Sequence, residues 1–362
     1  MKRRTSAISL FFILFLWIFP VHGCTRVSEE PLLTPAPVPS ASVSDEPLPS
    51  PGTDGTFFSS FYNGTGLSIT VSEQISEETA SRIFSDYAEL SRELDSSDET
   101  SELFAFNNSG ETVFSLSETQ ADMIAEGIRC SELTEGAFDL TSEPLRTLWD
   151  FSGEMLLLPT EEAVSAALSC INYQQLSLTG SELTLEIEGM QLNTADYFDG
   201  YAALQALRTL ENAGVQAGIL SFGNLSYYLV ADDERSPYTV TLSVPDGEAV
   251  REVASVTVRN LAIAGAHCYE QYQETEDGVY HPMFDLHTGY PSRQGFSSVF
   301  VFSSSPVLAQ TAAKACYSLS VEQGKTMISN LPDTDALWVM EDGTLVFSDG
   351  FADRIAVTEL GE

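Results

Sequence analysis

The sequence predicts an α+β domain that stands behind an export signal and a proline-rich stalk. Alternating apolar residues, typical of strands, and apolar residues three or four apart, typical of helices, follow one another along residues 55–362. An apolar content of 43% in 362 residues is enough for one large core or two ordinary ones. The sequence has no internal repeat, so we treat residues 55–362 as one domain of mixed strands and helices.

The first residues have the composition of a lipoprotein signal peptide. Lys2, Arg3 and Arg4 precede an apolar run over 8–19 that is too short for a comfortable membrane span. The run is followed by Val21-His22-Gly23-Cys24, which resembles the processing site of bacterial lipoproteins, where the cysteine receives the lipid. We predict a signal over 1–23 and a lipid anchor on Cys24. The chain is then expected at the cell membrane, on its extracytoplasmic face.

Residues 24–54 form the predicted stalk. Seven of the 16 prolines fall in this stretch, with Ser, Glu and Asp between them. Such a composition favours extended polyproline II and contains little to bury.

Charge and cysteine spacing exclude several classes of function. With 16 Lys+Arg against 53 Asp+Glu, the formal net charge is -37, which repels nucleic-acid backbones. The four cysteines of the predicted domain are not in the close pairs of a zinc or redox site; they are Cys130, Cys170, Cys268 and Cys316. Buried single thiols and one disulfide both remain open.

The periodicities predict the elements in order. A strand over 66–73 feeds a helix from Ser76 to Leu94, and Ser117 and Gln120 form a capping box for a helix that ends near Gly136. Further helices are predicted over 160–168, over 201–210 and from Pro306. Further strands are predicted at 216–222, 238–244, 254–264, 297–303, 336–340, 344–348 and 354–357.

The common catalytic motifs are missing, but several small clusters occur in a characteristic order. There is no G-x-S-x-G, P-loop, H-E-x-x-H or G-x-G-x-x-G. The clusters are Asn63-Gly64-Thr65, Ser101-Glu102-Leu103 with Asn107, Gly136-Ala137-Phe138-Asp139-Leu140-Thr141 with Pro144-Leu145, Asp199-Gly200-Tyr201, and Asp285-Leu286-His287-Thr288-Gly289-Tyr290-Pro291.

This succession resembles the FAD:protein FMN transferase family, known as ApbE, over about residues 57–325. The resemblance implies a single α+β domain that binds FAD, cleaves its pyrophosphate with the help of Mg²⁺, and transfers FMN to a threonine of an exported acceptor flavoprotein. A hard cation and a proton acceptor are the parts that such an attack on a pyrophosphate needs.

The resemblance also implies roles for individual residues. It places nucleotide contacts at Asn63, Thr65, Ala137, Phe138, Asp139, Asn193, Asp199, Met283 and Thr288. It places the reaction itself at Asp285 and His281, and the metal at Asp196, Gln310 and Lys314. Phe138 can equally be an ordinary core residue.

Several of these positions depart from the family pattern. Gln310 and Lys314 stand where the family has an aspartate and a threonine, a pair suited to Mg²⁺. Pro282 stands at the family's histidine, one residue after His281, and Asn193 replaces an aspartate. Lys314 is then either a solvated surface lysine or a cation in the metal's place.

Two functions of different class therefore remain. The first is a membrane-anchored FAD:protein FMN transferase, and the second is a catalytically lapsed lipoprotein that binds FAD or a partner on the same fold. A solute-binding lipoprotein is disfavoured because the two-lobe periodicity of that fold is missing. The three histidines His267, His281 and His287 would form a metal site only if folding brought them together.

Overall fold

A computed structural model describes residues 56–151, 157–231, 234–246, 249–267, 272–275 and 278–360. These residues all belong to one compact unit. The predicted signal peptide, Cys24, the stalk and Cys268 lie outside the described residues. In the described ranges, no helix combines the length and the apolar composition that a membrane crossing requires.

Helices and strands alternate along the described residues. The strands are β1 (Thr56–Tyr62), β2 (Thr65–Val71), β3 (Val113–Ser115), β4 (Leu176–Thr179), β5 (Glu182–Leu185), β6 (Ala217–Phe222), β7 (Leu225–Val230), β8 (Tyr238–Asp246), β9 (Ala249–Val258), β10 (Leu261–His267), β11 (Gln273–Thr275), β12 (Gly278–Tyr280), β13 (Phe284–Asp285), β14 (Tyr290–Pro291), β15 (Phe296–Ser303), β16 (Thr334–Met340), β17 (Leu345–Phe347) and β18 (Ala356–Glu359). The helices are α1 (Glu77–Leu94), α2 (Glu102–Asn107), α3 (Glu118–Leu133), α4 (Glu143–Trp149), α5 (Glu161–Ser169), α6 (Phe198–Asn212), α7 (Pro306–Tyr317), α8 (Val321–Asn330) and α9 (Phe351–Arg354), with one 3₁₀ turn at Tyr173–Gln175.

The centre of the fold is an antiparallel sheet in the order β1-β2-β6-β7-β10-β15-β16-β17. Both faces of this sheet are covered. In β15, Val299 and Val301 point to the core under the helices, whereas Phe300 and Phe302 point to a second core beneath the β18-β9-β8 sheet. This alternation follows from the two-residue period of a strand. The result is a layer of helices, a central sheet and a small second sheet.

Helix α7 packs almost wholly inside the molecule, against β10 and α6. Strand β10 presents only small side chains to the core under the helices, those of Ala262, Ala264 and Ala266. On α6, Gly200 permits a close approach: a Cβ there would lie 2.8 Å from the carbonyl oxygen of Pro306 and 2.9 Å from Gln310 Oε1. This contact fixes the position of α7, and therefore of Lys314, relative to the loop before α6.

Gly200→Ala tests that close packing. Gly-to-Ala in a helix ordinarily stabilises by about 0.5–1 kcal/mol. Here overpacking reverses the sign, and the free energy of unfolding is expected to fall by about 1–3 kcal/mol. Gly66→Ala is the control, because a Cβ at Gly66 meets nothing within 4 Å. Urea unfolding of both variants measures the difference, and a stabilised Gly200→Ala variant would contradict the packing argument.

The structure confirms the predicted α+β domain and many of its elements. The capping box forms as expected, with Gln120 N donating to Ser117 Oγ at 3.3 Å and Ser117 N donating to Gln120 Oε1 at 2.8 Å. The predicted single strand over 254–264 is wrong. It is divided between β9 and β10, which lie in different sheets, because Asn260 adopts a left-handed conformation with φ of 51°. The last strand begins at Ala356 rather than 354, since α9 occupies Phe351–Arg354.

Candidate active site

A cavity of about 580 Å³ lies between α4, the loop before α6, the segment before β13 and the last turn of α7. Its lining includes two cations and several carboxylates. The lining residues are Ser97, Glu99, Phe104, Ala137, Phe138, Asp139, Ser142, Arg146, Thr147, Asp150, Phe151, Asn193, Ala195, Asp196, Pro282, Met283, Phe284, Leu286, Lys314 and Ser318. The folded chain therefore brings together seven of the predicted site residues, which come from the loop before α4, the loop before α6, the segment before β13 and α7. They are Ala137, Phe138, Asp139, Asn193, Asp196, Met283 and Lys314.

Asp139 is held by three hydrogen bonds at the edge of this cavity. Its carboxylate accepts from the backbone N of Thr141 at 2.8 Å, from Thr141 Oγ1 at 2.7 Å and from the backbone N of Tyr173 at 3.0 Å. Burial raises the pKa of Asp139, against the lowering effect of these bonds. Through these hydrogen bonds, Asp139 connects the loop after α3 to the 3₁₀ turn at Tyr173–Gln175. Phe138 is buried and packs edge-on against Tyr197, so it belongs to the core as well as to the lining.

The sequence reasoning missed Arg146, a cation in the cavity wall. Arg146 Nε donates to Glu143 Oε2 at 2.7 Å, its Nη2 also contacts Glu143, and Nη2 donates to the carbonyl of Ser96 at 3.3 Å. Burial raises the pKa of Glu143, which is only 3% exposed. The three-residue spacing of Glu143 and Arg146 on a helix was the available signal. Spacing alone does not reveal that the pair is buried.

Asn193 is buried at the base of the cavity with one polar atom unused. Its Nδ2 donates to Ser142 Oγ at 3.0 Å and to Asp196 Oδ2 at 2.8 Å. Its Oδ1 has no hydrogen-bond partner among the described residues, although the side chain is 3% exposed. A buried acceptor without a partner is costly in a folded protein. The N–H of a ligand in the cavity would satisfy it.

Lys314 reaches this cavity from α7 and pairs with Asp196. The distance from Lys314 Nζ to Asp196 Oδ1 is 3.5 Å, and Nζ lies 3.6 Å from Met283 Sδ. The side chain of Lys314 is 20% exposed. Lys314 is therefore a cavity residue and not a solvated lysine on the helix surface.

Gln310, one turn earlier on α7, does not line the cavity. It is buried, and its Oε1 accepts a hydrogen bond of 2.7 Å from the backbone N of Gly200. The amide therefore fastens the first turn of α6 to α7. Among the three predicted metal positions, only Asp196 and Lys314 lie at the cavity.

The two predicted reactive residues also lie outside the cavity lining. His281 is buried, its ring packs edge-on against Tyr317, and its Nδ1 accepts from the backbone N of Met283 at 3.3 Å. Burial is the main cause that lowers the pKa of His281 to about 4; the charges of Arg293 and Lys314 act in the same direction, and a hydrogen bond with the backbone of Ser292 opposes them. Asp285 Oδ1 accepts from the backbone N of His287 at 2.8 Å. Pro282, between them, does line the cavity.

A second, polar cavity of about 320 Å³ adjoins the first and shares Ser97 and Glu99 with it. The predicted nucleotide residues Asn63 and Thr65 line this cavity, together with Tyr62, Tyr87, Ser91, Asp95 and Asp98. Tyr87 donates from its hydroxyl to Asp199 Oδ1 at 2.8 Å, and burial, followed by the nearby Asp199, raises the pKa of Tyr87. Asp199 is thus placed behind the second cavity. Thr288 is exposed on the turn between β13 and β14 and lines neither cavity.

The donors at the predicted metal positions do not fit Mg²⁺. Within the described ranges, no group of three or more His, Cys, Asp or Glu side chains is placed to hold a metal, and His267, His281 and His287 form no such group. The side-chain oxygen of Gln310 already accepts a hydrogen bond from the backbone N of Gly200. The Lys314 ammonium lies beside the remaining carboxylate, that of Asp196. Mg²⁺ requires hard anionic oxygens and is repelled by an adjacent ammonium.

A family model for ApbE matches residues 63–338. The chain belongs to the ApbE family. Among its ApbE relatives, the FAD:protein FMN transferase of Treponema pallidum is 24% identical over 244 residues, 63% of this chain and 67% of that protein. The FAD:protein FMN transferase of Vibrio cholerae is 27% identical over 230 residues, 62% of this chain and 68% of that protein.

Solved ApbE structures have the same fold. The apo form of the flavinyl transferase ApbE from Pseudomonas stutzeri superposes with a TM-score of 0.73 at 22% identity, covering 83% of this chain and 96% of that one. The ApbE protein of Thermotoga maritima superposes with a TM-score of 0.72 at 23% identity, covering 82% and 98%. These likenesses confirm the single α+β ApbE domain.

Proposed function

We propose that this chain is a FAD:protein FMN transferase that moves FMN from FAD to a threonine of a partner flavoprotein. One observation carries the proposal. Two adjoining cavities, of about 580 and 320 Å³, share Ser97 and Glu99 and contain eight of the nine predicted nucleotide residues in or directly behind their walls. A long ligand with a ring system at each end, such as a dinucleotide, suits a cleft of two joined parts.

The larger cavity has two cations that can pair with an anionic centre of the ligand, although four carboxylates, those of Glu99, Asp139, Asp150 and Asp196, also line it. Lys314 and Arg146 both line it, in a chain whose net charge is -37. A pyrophosphate placed near them would be neutralised in a partly enclosed site, where charge pairing is stronger than in water. The unpartnered Oδ1 of Asn193 offers an acceptor for an N–H of the flavin or the adenine.

The transfer requires a defined movement of bonds and of one proton. The threonine oxygen bonds to the phosphorus of the FMN moiety, the anhydride P–O bond breaks, and AMP leaves with the electron pair. The hydroxyl proton passes to a base. His281 and Asp285 do not line the cavity, so the available carboxylates are those of Glu99, Asp139, Asp150 and Asp196.

A second candidate is a lipoprotein that binds FAD and does not transfer FMN. The observation that favours it is the position of the reactive residues. His281 faces Tyr317 in the core, and Gln310 binds Gly200 instead of a metal. In this second candidate, the residues that line the nucleotide site remain in place, and the residues that would carry out the transfer do not.

The proposed place of action is the extracytoplasmic face of the cell membrane. The basic and apolar segment over 2–19, followed by Cys24, supports export and lipidation. The proline-rich residues 25–54 would hold the domain away from the lipid surface, where an exported acceptor protein can reach it.

Incubation of the purified full-length chain with FAD separates the two candidates. Quenching of flavin fluorescence measures binding, and chromatography measures AMP release, with and without the membrane fraction of the source cell as a supply of acceptors. Binding with AMP release and flavin covalently attached to a membrane protein supports the transferase. Binding without AMP release supports the second candidate, and the absence of binding overturns both.

A further inference from the structure

Lys314 places a positive charge in the wall of the larger cavity, where the phosphates of a ligand would need one. Its ammonium is held between Asp196 Oδ1, at 3.5 Å, and Met283 Sδ, at 3.6 Å, in the wall of the larger cavity. Both contacts come from segments that themselves line the cavity. The side chain is 20% exposed, so most of the stem is packed. Lys314 is thus a positioned charge that still has access to a ligand in the cavity.

The surroundings of Lys314 leave little room for a divalent cation. One oxygen of Asp196 faces the ammonium, and the other accepts a hydrogen bond from Asn193 Nδ2 at 2.8 Å. Gln310, one turn before Lys314, uses its oxygen on the backbone of Gly200. A Mg²⁺ ion at this place would have to displace these bonds and sit beside a fixed positive charge.

We infer that the Lys314 ammonium takes the place of the divalent cation and neutralises the pyrophosphate of the bound dinucleotide directly. The inference rests on the proposed function, since it assigns a residue to the dinucleotide in the same cleft. A lysine is a compact point charge with three donors, and it binds phosphates in many sites. The Asp196 carboxylate at 3.5 Å and Met283 Sδ at 3.6 Å orient the ammonium in the cavity wall, where phosphate oxygens of the dinucleotide can reach it.

Arg146 is the second cation of this arrangement. Its guanidinium is anchored to Glu143 and to the carbonyl of Ser96, in the same cavity wall as Lys314. Since the buried Glu143 balances the charge of Arg146, and Asp196 lies at the other cation, the cavity keeps its cations in place before the ligand arrives. Divalent metal is then not needed for binding.

The test is a FAD titration of the purified full-length chain in EDTA and in excess Mg²⁺, followed by flavin fluorescence. We expect dissociation constants that agree within about twofold in the two buffers. Lys314→Met keeps the length of the side chain and removes its charge, and it is expected to weaken binding by about 10- to 100-fold, the effect of losing a charged hydrogen bond. Lys314→Arg should retain most of the affinity.

Lys325→Met is the matched control. Lys325 is the other lysine of the predicted domain, and it pairs with the exposed Glu322 on α8 at 3.7 Å, away from both cavities. Its substitution should leave the affinity unchanged. Circular dichroism of Lys314→Met and Lys314→Arg checks that both variants are folded.

The other outcomes distinguish failure of the inference from failure of the proposed function. Binding that requires Mg²⁺, or that persists unchanged in a folded Lys314→Met variant, overturns the inference and leaves the proposed function standing. Failure of the unsubstituted chain to bind FAD in either buffer overturns the proposed function itself.

Discussion

Replacement of Arg146 by alanine is expected to lower the free energy of unfolding by about 3 kcal/mol, because it leaves a buried carboxylate without its counter-charge. Glu143 is 3% exposed, and Arg146 is bonded to both of its carboxylate oxygens and to the carbonyl of Ser96. Two hydrogen bonds to the Glu143 carboxylate and one to the carbonyl of Ser96 are therefore lost together. Urea unfolding at neutral pH measures the change.

Arg129→Ala is the control for this prediction. Arg129 also pairs with a glutamate three residues earlier, Glu126, but the two side chains are 40% and 29% exposed. Exposed pairs of this kind contribute less than about 1 kcal/mol. Adding Glu143→Gln to Arg146→Ala should recover part of the lost stability. Equal effects of Arg146→Ala and Arg129→Ala would contradict the burial argument.

His281 is expected to make the stability of the domain depend on pH between about 6.5 and 4. Burial lowers the pKa of His281 from 6.5 to about 4 in the folded state. Between these values the unfolded chain binds a proton that the folded chain does not, so stability falls as the pH falls. The contribution is complete above pH 6.5, is lost below about pH 4, and amounts to about 3 kcal/mol.

His281→Asn isolates this contribution from that of the many acidic residues. Asparagine keeps an acceptor near the position of Nδ1, which accepts from the backbone N of Met283. The difference in unfolding free energy between the variant and the unsubstituted chain, measured from pH 8 to pH 4, should shift by about 3 kcal/mol in favour of the variant. A difference that is constant over this range would show that the pKa of His281 is the same in the folded and the unfolded chain, and would contradict the prediction.

The elements that the sequence predicts well are those with local causes. The capping box of α3 depends on two residues three positions apart, Ser117 and Gln120, and it forms as predicted. The break between β9 and β10 was missed because it depends on one asparagine, Asn260, in a left-handed turn. Apolar residues continue on both sides of that turn, so periodicity alone does not reveal it.

The parts of the site that depend on tertiary packing were harder to predict. The ApbE resemblance predicted Ala137, Asn193 and Lys314 as site residues. In the structure all three line the same cavity. The resemblance did not indicate that Gln310 turns toward Gly200, which follows from the close contact of α6 with α7. Nor did it indicate that Arg146 lines the cavity, because burial of the Glu143–Arg146 pair follows from long-range packing.

The chain has the ApbE fold, but the residues at its predicted metal positions do not suit Mg²⁺. The layers of the ApbE fold are present, whereas Lys314, at one predicted metal position, is paired with Asp196 at another. A fixed internal cation would make binding of the dinucleotide independent of divalent metal.

The most direct test of this account is a crystal structure of the chain grown with FAD and MnCl₂, with data collected for anomalous scattering from manganese. The account predicts pyrophosphate oxygens within about 3 Å of Lys314 Nζ, with no anomalous peak between the pyrophosphate and Asp196. A manganese ion at that point, with Lys314 turned away from the phosphates, would contradict it.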